Sequence, residues 1–370
     1  MANGFAEALL LHSKQVFAGA APSKKVTAPG YLNFLLQHGT PQVLSAAIDP
    51  NGTGHIRDVR IKYKPRVVSG KTVTTDDCSV QASPTYLEAT VPALAFRKYS
   101  IFVDDATVRK YTEETTKMVS GGSNPDMILM NEMWDNVLDA ANGLFADINT
   151  DLLALAVAAY GVNAATGVST TRTINFPLST ANYNLAAGMP LLAADMLANQ
   201  LTVNDVAIVG SGLIANWYMQ RGAQVPAAGL NPQQVSAPEF FYDAYAASSL
   251  GANIFLVAQK GAVQFINVNR FKGAFGGDKL KTILGTINLP VMDSLGGNQL
   301  RNFTFDFQLR YNECPSNMVI GGAAATAVGR GWILDLMANY KQFNLPTDSY
   351  ATGDPLALSN GTFKYLATNT

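Results

Sequence analysis

The chain has 370 residues, enough for one large hydrophobic core or two linked ones. Its formal net charge is −1, so no overall charge draws it to nucleic acid or to an anionic membrane. Asp, Glu, Lys and Arg make up only 14% of it, against about 25% in typical soluble domains, which fits either a large Ala/Gly-rich globule or a subunit whose surface neighbours cover.

Residues 1–55 are punctuated by Pro22, Pro29, Gly30, Gly39, Pro41 and Pro50, which predicts an extended arm with one short helix. The opening apolar stretch follows Glu7 and not a basic residue, which argues against a signal peptide. The stretch 152–161 is too short to span a bilayer. Cys78 and Cys314 form no CxxC pair and no disulfide framework, so a reduced compartment is expected.

Residues 56–95 read as a long β-hairpin. In IRDVRIKYKPRV, Arg60, Lys62, Lys64 and Arg66 alternate with Val59, Ile61 and Tyr63, giving one basic and one apolar face. Pro65 places the strand at a sheet edge or bulge. YLEATVPAL is the return strand.

Residues 125–160 carry the strongest helical pattern, with Asn124 as N-cap and Pro125 at the first helical position. Met127, Met130, Trp134, Val137, Ala141, Phe145, Ile148, Leu152 and Leu155 form one apolar stripe. Glu132, Asp135, Asp139, Asp147 and Asp151 make the other side acidic, and no Lys or Arg occurs between Lys117 and Arg172. Some 35 helical residues span about 50 Å, longer than a compact α/β domain needs.

From 178 to 295 helix and strand alternate. GMPLLAADMLANQ is predicted helical and DVAIV a strand. SAPEFFYDAYAASSLG is predicted to be a second helix, with Ser236 and Glu239 as capping box and Gly251 as its stop. NIFLVA and AVQFINV are strands. RNFTFDFQLRYN (301–312) alternates Phe303, Phe305, Phe307, Leu309 and Tyr311 with Thr304, Asp306, Gln308 and Arg310, a half-buried strand. The tail after Pro346 reads as loop with a final short strand.

Several motifs imitate active sites. DVAIVGSGLIA (205–215) has the Gly-x-Gly-x-x-Ala spacing of a dinucleotide loop. The region 20 residues on is Pro-rich, without a strand pattern, and its first carboxylate is Glu239, so a tight strand-to-helix turn explains the glycines better. DPNGTGHIRDVR mimics a calcium loop, but Arg60 stands where a bidentate Glu is required. His12, His38 and His55 sit at no metal-ligand spacing, and Asp76–Asp77 would point to opposite sides of a strand. No catalytic, cofactor or metal residues are assigned, and no enzymatic activity is expected.

Two features remain that chemistry can use: the basic stripe on a projecting hairpin and the acidic face of a long helix. Both could be solvated faces. They could also meet between copies, where complementary charge sets register and partner choice. Nucleic-acid binding by the stripe lacks interleaved aromatics and overall positive charge.

In order along the chain, arm, hairpin, long helix, α/β segment, returning long strands and tail resemble the major capsid proteins of tailed bacteriophages, the Hong Kong 97-like fold. The resemblance rests on layout, with no short invariant motif. It implies an α+β fold with an N-terminal arm (1–55), an extended hairpin loop (56–96), and a peripheral domain (97–177) holding the spine helix (125–160). An axial domain (178–295), returning peripheral strands (296–345) and a C-terminal tail (346–370) complete it. The segments LTVNDVAIVGSGLIANWY and FLVAQKGAVQF resemble parts of the axial domain.

It further implies self-assembly as hexamers and pentamers into an icosahedral shell around double-stranded DNA, in a virion assembled in the host cytoplasm. A separate scaffolding protein, a portal and decoration proteins are the implied partners, without a cofactor or membrane. The family also suggests Lys71 as a crosslinking lysine of the loop. The expected inter-subunit interface joins Arg60, Lys62, Lys64, Arg66 and Lys71 to Glu132, Asp135 and Asp139. An encapsulin-like nanocompartment shell and, from another class, a soluble nucleotide-dependent α/β enzyme are the alternatives.

Overall fold

The computed structural model describes residues 25–39, 42–48, 56–63, 86–92, 94–107, 109, 127–159, 171–175, 178–179, 182–183, 185–198, 202–211, 238–251, 253–271, 282–293, 299–312, 319–320, 323–324, 330–344 and 362–368. In chain order it begins with β1 (Val26–Thr27), α1 (Gly30–His38), β2 (Gln42–Ile48), β3 (Ile56–Tyr63), β4 (Leu87–Pro92) and β5 (Ala95–Asp104). Then come α2 (Met127–Ala159), β6 (Thr171–Asn175), β7 (Leu178–Ser179), β8 (Asn182–Tyr183), α3 (Leu185–Ala198) and β9 (Val206–Gly210). β10 (Glu239–Tyr242), α4 (Ala246–Ser249), β11 (Ile254–Gln259), β12 (Val263–Asn267) and β13 (Thr282–Met292) follow. The last are β14 (Gln299–Asn312), β15 (Val319–Ile320), β16 (Ala323–Ala324), β17 (Gly331–Asn344) and β18 (Thr362–Thr368).

Among the described residues, three larger sheets organise these elements, beside the two-stranded pairs β7-β8 and β15-β16. The largest runs β1-β13-β14-β17-β12, with β5 also paired to β17. The second is β10-β9-β11-β18-β6, and the third is β2-β3-β4. The alternation expected at 301–312 holds except at Asp306, which is buried: Phe303, Phe305, Phe307 and Leu309 enter the core shared with α2, where Phe145 meets Phe303 at 5.0 Å and Phe305 at 5.3 Å between ring centroids.

The long helix is present and carries the expected stripe from Trp134 to Leu152. Leu155 departs from it at 50% exposure, and Leu153 and Ala156 are buried instead. A period of 3.6 drifts away from a fixed three-to-four spacing over nine turns, so the stripe rotates around the helix.

α1, placed by the sequence in an arm, lies inside the core. Tyr31, Leu32, Phe34 and Leu35 are fully buried, and the helix packs against α2, β9, β10 and β12. The same apolar cluster holds Ala207, Val209, Phe241, Leu256 and Ala258 from one face of the second sheet and the inward residues of the large sheet. The opposite face of the second sheet, with Val206, Ile208, Phe255, Val257, Phe363 and Tyr365, packs on Leu192 and Met196 of α3. Alternating residues of a strand thus feed two cores.

One sequence reading is overturned. The helix expected over 236–250 is instead strand β10, a turn at Asp243 and the single helical turn α4. Phe240 and Phe241 are pulled into parallel pairing with Ile208 and Val209, which satisfies the backbone that a capping box would otherwise serve. Glu239 is therefore a strand residue. Gly251 still terminates the turn, with φ of 119°.

Sheet membership also crosses the expected segments. β6 and β18, outside 178–295, belong to the second sheet, while β12 and β13, inside it, belong to the large one. β2, within the supposed arm, adds a third strand to the hairpin.

Candidate assembly surface

The hairpin forms in the register its alternation demands, from Asp58 opposite Pro92 to Tyr63 opposite Leu87. Val59, Ile61 and Val91 are buried on Ile266, and Tyr63 meets Phe343 at 5.4 Å between ring centroids. That packing fastens the hairpin base to β12 and β17 and turns Arg60 and Lys62 outward. Arg60 is ion-paired with Glu88 of β4, and the Lys62 ammonium lies 5.3 Å from the centroid of the Tyr86 ring. Lys64, Arg66 and Lys71 fall outside the described residues. Tyr86, beside Lys62, is 63% exposed, and on the other face Val43 and Leu87, opposite Ile61 and Tyr63, are exposed as well.

On α2, Asp139 and Asp147 are exposed and Asp135 is half-buried, while nothing is described of the Glu132 side chain. Asp151 does not belong to a free acidic face. Arg97 of β5 grips it in a two-point fork, both nitrogens at 2.8 Å, and the Tyr340 hydroxyl donates to it. Burial by itself would raise the Asp151 pKa, but these hydrogen bonds outweigh it and hold the carboxyl below its usual range.

A depressed folded-state pKa contributes stability above the unfolded value, roughly pH 4, and that contribution is lost as pH falls through the lower folded value. Arg97→Gln is therefore expected to be less stable than the parent at pH 7. The gap should narrow as acid protonates Asp151, read as denaturant midpoints at pH 7, 5 and 3. A gap that stays constant with pH would disprove the linkage.

Polar groups that the sequence did not single out tie the core. Asp243, fully buried, accepts the Tyr31 N–H at 2.8 Å, the Asn149 side-chain amide at 2.9 Å and the Tyr245 N–H at 2.8 Å. Asn149 in turn accepts the Leu32 N–H at 2.9 Å. Asp306, expected on an outward polar face, is also fully buried. It accepts the backbone N–H groups of Arg270 at 2.8 Å and Phe271 at 3.1 Å, and burial pushes its pKa up. The only legible signal for Asn149 is an amide at helical spacing from Phe145, Leu152 and Leu153.

The nucleotide reading meets a different obstacle from the one its sequence suggested. A second parallel strand, β10, does lie beside β9 and is followed directly by Asp243. Its carboxyl group is spent on α1, α2 and the turn after β10, leaving nothing for a ribose. Residues 212–215 of the motif lie outside the described residues. Among the described residues, no group of three or more His, Cys, Asp and Glu could hold a metal ion, and no helix is long and apolar enough to cross a membrane.

No protein-family model and no curated protein matches the sequence. In structure the chain is similar to the Cyanophage A-1(L) capsid asymmetric unit, with 12% identity, 94% of each chain covered and a TM-score of 0.49. It is also similar to the capsid structure of Cyanophage P-SCSP1u, with 12% identity, 95% of this chain and 92% of that one covered and a TM-score of 0.42. The mature capsid of bacteriophage PhiM1 is a third, with 11% identity, 95% and 91% covered and a TM-score of 0.43. Phage capsid proteins are thus what this chain is similar to.

Proposed function

We propose that the chain is a shell subunit of a tailed bacteriophage, assembling as hexamers and pentamers around double-stranded DNA and performing no catalysis. One observation carries the reading. A 33-residue helix and a second sheet share one apolar cluster with a sheet that has two 14-residue strands, while a three-stranded hairpin sheet is fastened to this body through the small cluster of Val59, Ile61, Val91 and Ile266. That layout serves a polypeptide that finishes burying itself against copies of itself. The sparse charge and the exposed Val43, Leu44, Tyr86 and Leu87 of the hairpin sheet and its approach agree with it.

The test is electron microscopy of the purified, expressed protein, alone and with a scaffolding protein. Closed shells support the reading, and a monodisperse monomer at high concentration in both cases ends it. Particles holding a protein cargo in place of DNA, in the native host, would identify a nanocompartment shell instead.

On this reading the basic residues Arg60, Lys62, Lys64, Arg66 and Lys71 of one copy meet Glu132, Asp135 and Asp139 of the next. The Arg60–Glu88 pair is exposed on both sides, so exchanging it for an inter-subunit partner costs about 0–1 kcal/mol. Replacing Arg60, Lys62, Lys64 and Arg66 by Glu is expected to abolish shells in micrographs while circular dichroism stays that of the parent. Normal shells from this variant would rule out charge-guided docking.

A further inference from the structure

We infer that residues 268–271 form a strap that lifts from the large sheet while the sheet stays paired, and that acid holds the strap down. The topology creates it. Tyr340 of β17 pairs with Ala95 of β5 on one side and with Asn267 of β12 on the other. β12 therefore occupies the same edge of β17 that β14 holds between Gly331 and Met337. Both strands run antiparallel to β17, so the end of β12 points at Asp306, where the β14–β17 pairing begins. Val268 still follows β17, its N–H donating to the Asn339 carbonyl at 3.1 Å. Beyond it β14 fills the edge, and the chain has to leave the sheet.

Leaving the sheet deprives the strap of ladder bonds, and its N–H groups need other acceptors. Those of Arg270 and Phe271 end on the two oxygens of one carboxyl group, Asp306, at 2.8 and 3.1 Å. The Asn339 amide donates to the same carboxyl group at 3.3 Å, and the Asn269 amide reaches the Thr304 carbonyl at 2.8 Å. The Arg270 guanidinium lies 5.3 Å from the Phe96 ring centroid and 4.9 Å from that of Phe271, with its Nε 4.0 Å from the Asp306 carboxyl group. The closed strap thus encloses two charged side chains, Asp306 at 0% exposure and Arg270 at 8%. Taking both from water costs about as much as their attraction returns. Asn267 Oδ1 is buried there without a hydrogen bond among the described residues, a further cost of closure. The flanking ladders bear no such costs, so the strap opens before they do.

The charges around Asp306 set the response to pH. Arg270 comes from the strap itself. On the same face of the sheet β17 brings Asp335 and Lys341, β5 brings Lys98 and β14 brings Arg310. Lys98 and Arg310 are turned to Asp335, at 3.7 and 3.1 Å, and Lys341 donates to the Pro92 carbonyl. β13 places Thr286 opposite Asp306, and β12 carries no charge. Burial outweighs the Arg270 charge and the donated hydrogen bonds, so the closed strap holds the Asp306 pKa above its usual range. Above that raised value the carboxyl group is ionised whether the strap is open or closed, and opening is greatest. As pH falls through it, the closed form alone takes up the proton. Closure deepens until the open form is protonated as well, at roughly pH 4.

Amide hydrogen exchange on the full chain, corrected for intrinsic rates, tests this at pH 8, 6 and 4. At pH 8 the Arg270 and Phe271 amides are expected to exchange about tenfold or more faster than those of the β14–β17 ladder. Towards pH 4 the gap should narrow because the strap slows. Asp306→Asn, neutral throughout, should show a gap that does not change with pH. Strap amides that exchange in step with the ladder at all three pH values would overturn the inference, since the strap would then open only with the sheet. So would a parent strap that does not slow in acid, or the same acid response in Asp306→Asn. Should circular dichroism show Asp306→Asn unfolded, the parent's exchange decides by the first two of these outcomes. The strap belongs to a single copy, so the result stands whether or not shells form.

Discussion

Asp243→Ala is expected to lower folding stability by about 3–5 kcal/mol, the scale for stripping a buried polar partner from several donors at once. The carboxyl group holds the first turn of α1, the middle of α2 and the turn between β10 and α4. Its loss leaves the Tyr31 N–H and one Asn149 N–H without an acceptor in the buried interior, and releases the Tyr245 N–H at its exposed margin. The same contacts bridge the large and second sheets, so cooperativity should suffer with stability. Urea unfolding checks both: a lower midpoint with an unchanged slope reports lost stability, and a shallower slope reports the two sheets unfolding apart. Asp243→Asn keeps one acceptor oxygen and should fall between parent and alanine variant. An alanine variant within 1 kcal/mol of the parent would refute the tie (about a fivefold change in the folding equilibrium).

Gly30→Ala is expected to be nearly as damaging, through one added carbon. An ideal Cβ at Gly30 would stand 2.2 Å from the Tyr242 carbonyl oxygen and 2.8 Å from the Asp243 amide nitrogen. Both neighbours are backbone of the β10–Asp243 junction, so no side-chain rotation relieves the clash. Either α1 withdraws, breaking the Tyr31–Asp243 bond, or β10 shifts against β9. Overpacking of this kind costs about 1–3 kcal/mol or more, and the lost hydrogen bond adds to it. Gly143→Ala is the control, because its nearest neighbour is the Tyr99 ring at 3.6 Å, an ordinary contact. Thermal unfolding should show a large drop for Gly30→Ala and little change for Gly143→Ala. Equal effects would mean that the close approach is not what selects glycine at 30.

Both predictions concern α1, the one short helix that the sequence reading expected within 1–55 without locating it. YLNFLLQH offers no apolar-polar alternation to read, because the helix is buried almost all round. A helix surrounded by core looks like any short apolar stretch. The hairpin was legible for the opposite reason. Val59 and Ile61 bury one face and Arg60 and Lys62 leave the other, so period-two alternation records the environment directly. The misread helix at 236–250 lies between these cases. Its capping pattern was a local signal, overridden by a strand partner some thirty residues earlier.

Local pattern, in short, was decisive wherever an element has two unlike sides. The α2 stripe, the β14 alternation and the β3–β4 pairing follow from side-chain period, since burial on one face alone writes its period into the residues. Position in the assembly of sheets was decided by the tertiary structure: that α1 wedges between two of them, that β12 leaves β11 to join the other, and that Asp243 and Asp306 serve as buried anchors. Those outcomes depend on which distant backbone donors a carboxyl group meets, and that is a property of packing between segments about a hundred or more residues apart for Tyr31, Asn149 and Asp243, which no single stretch of chain encodes.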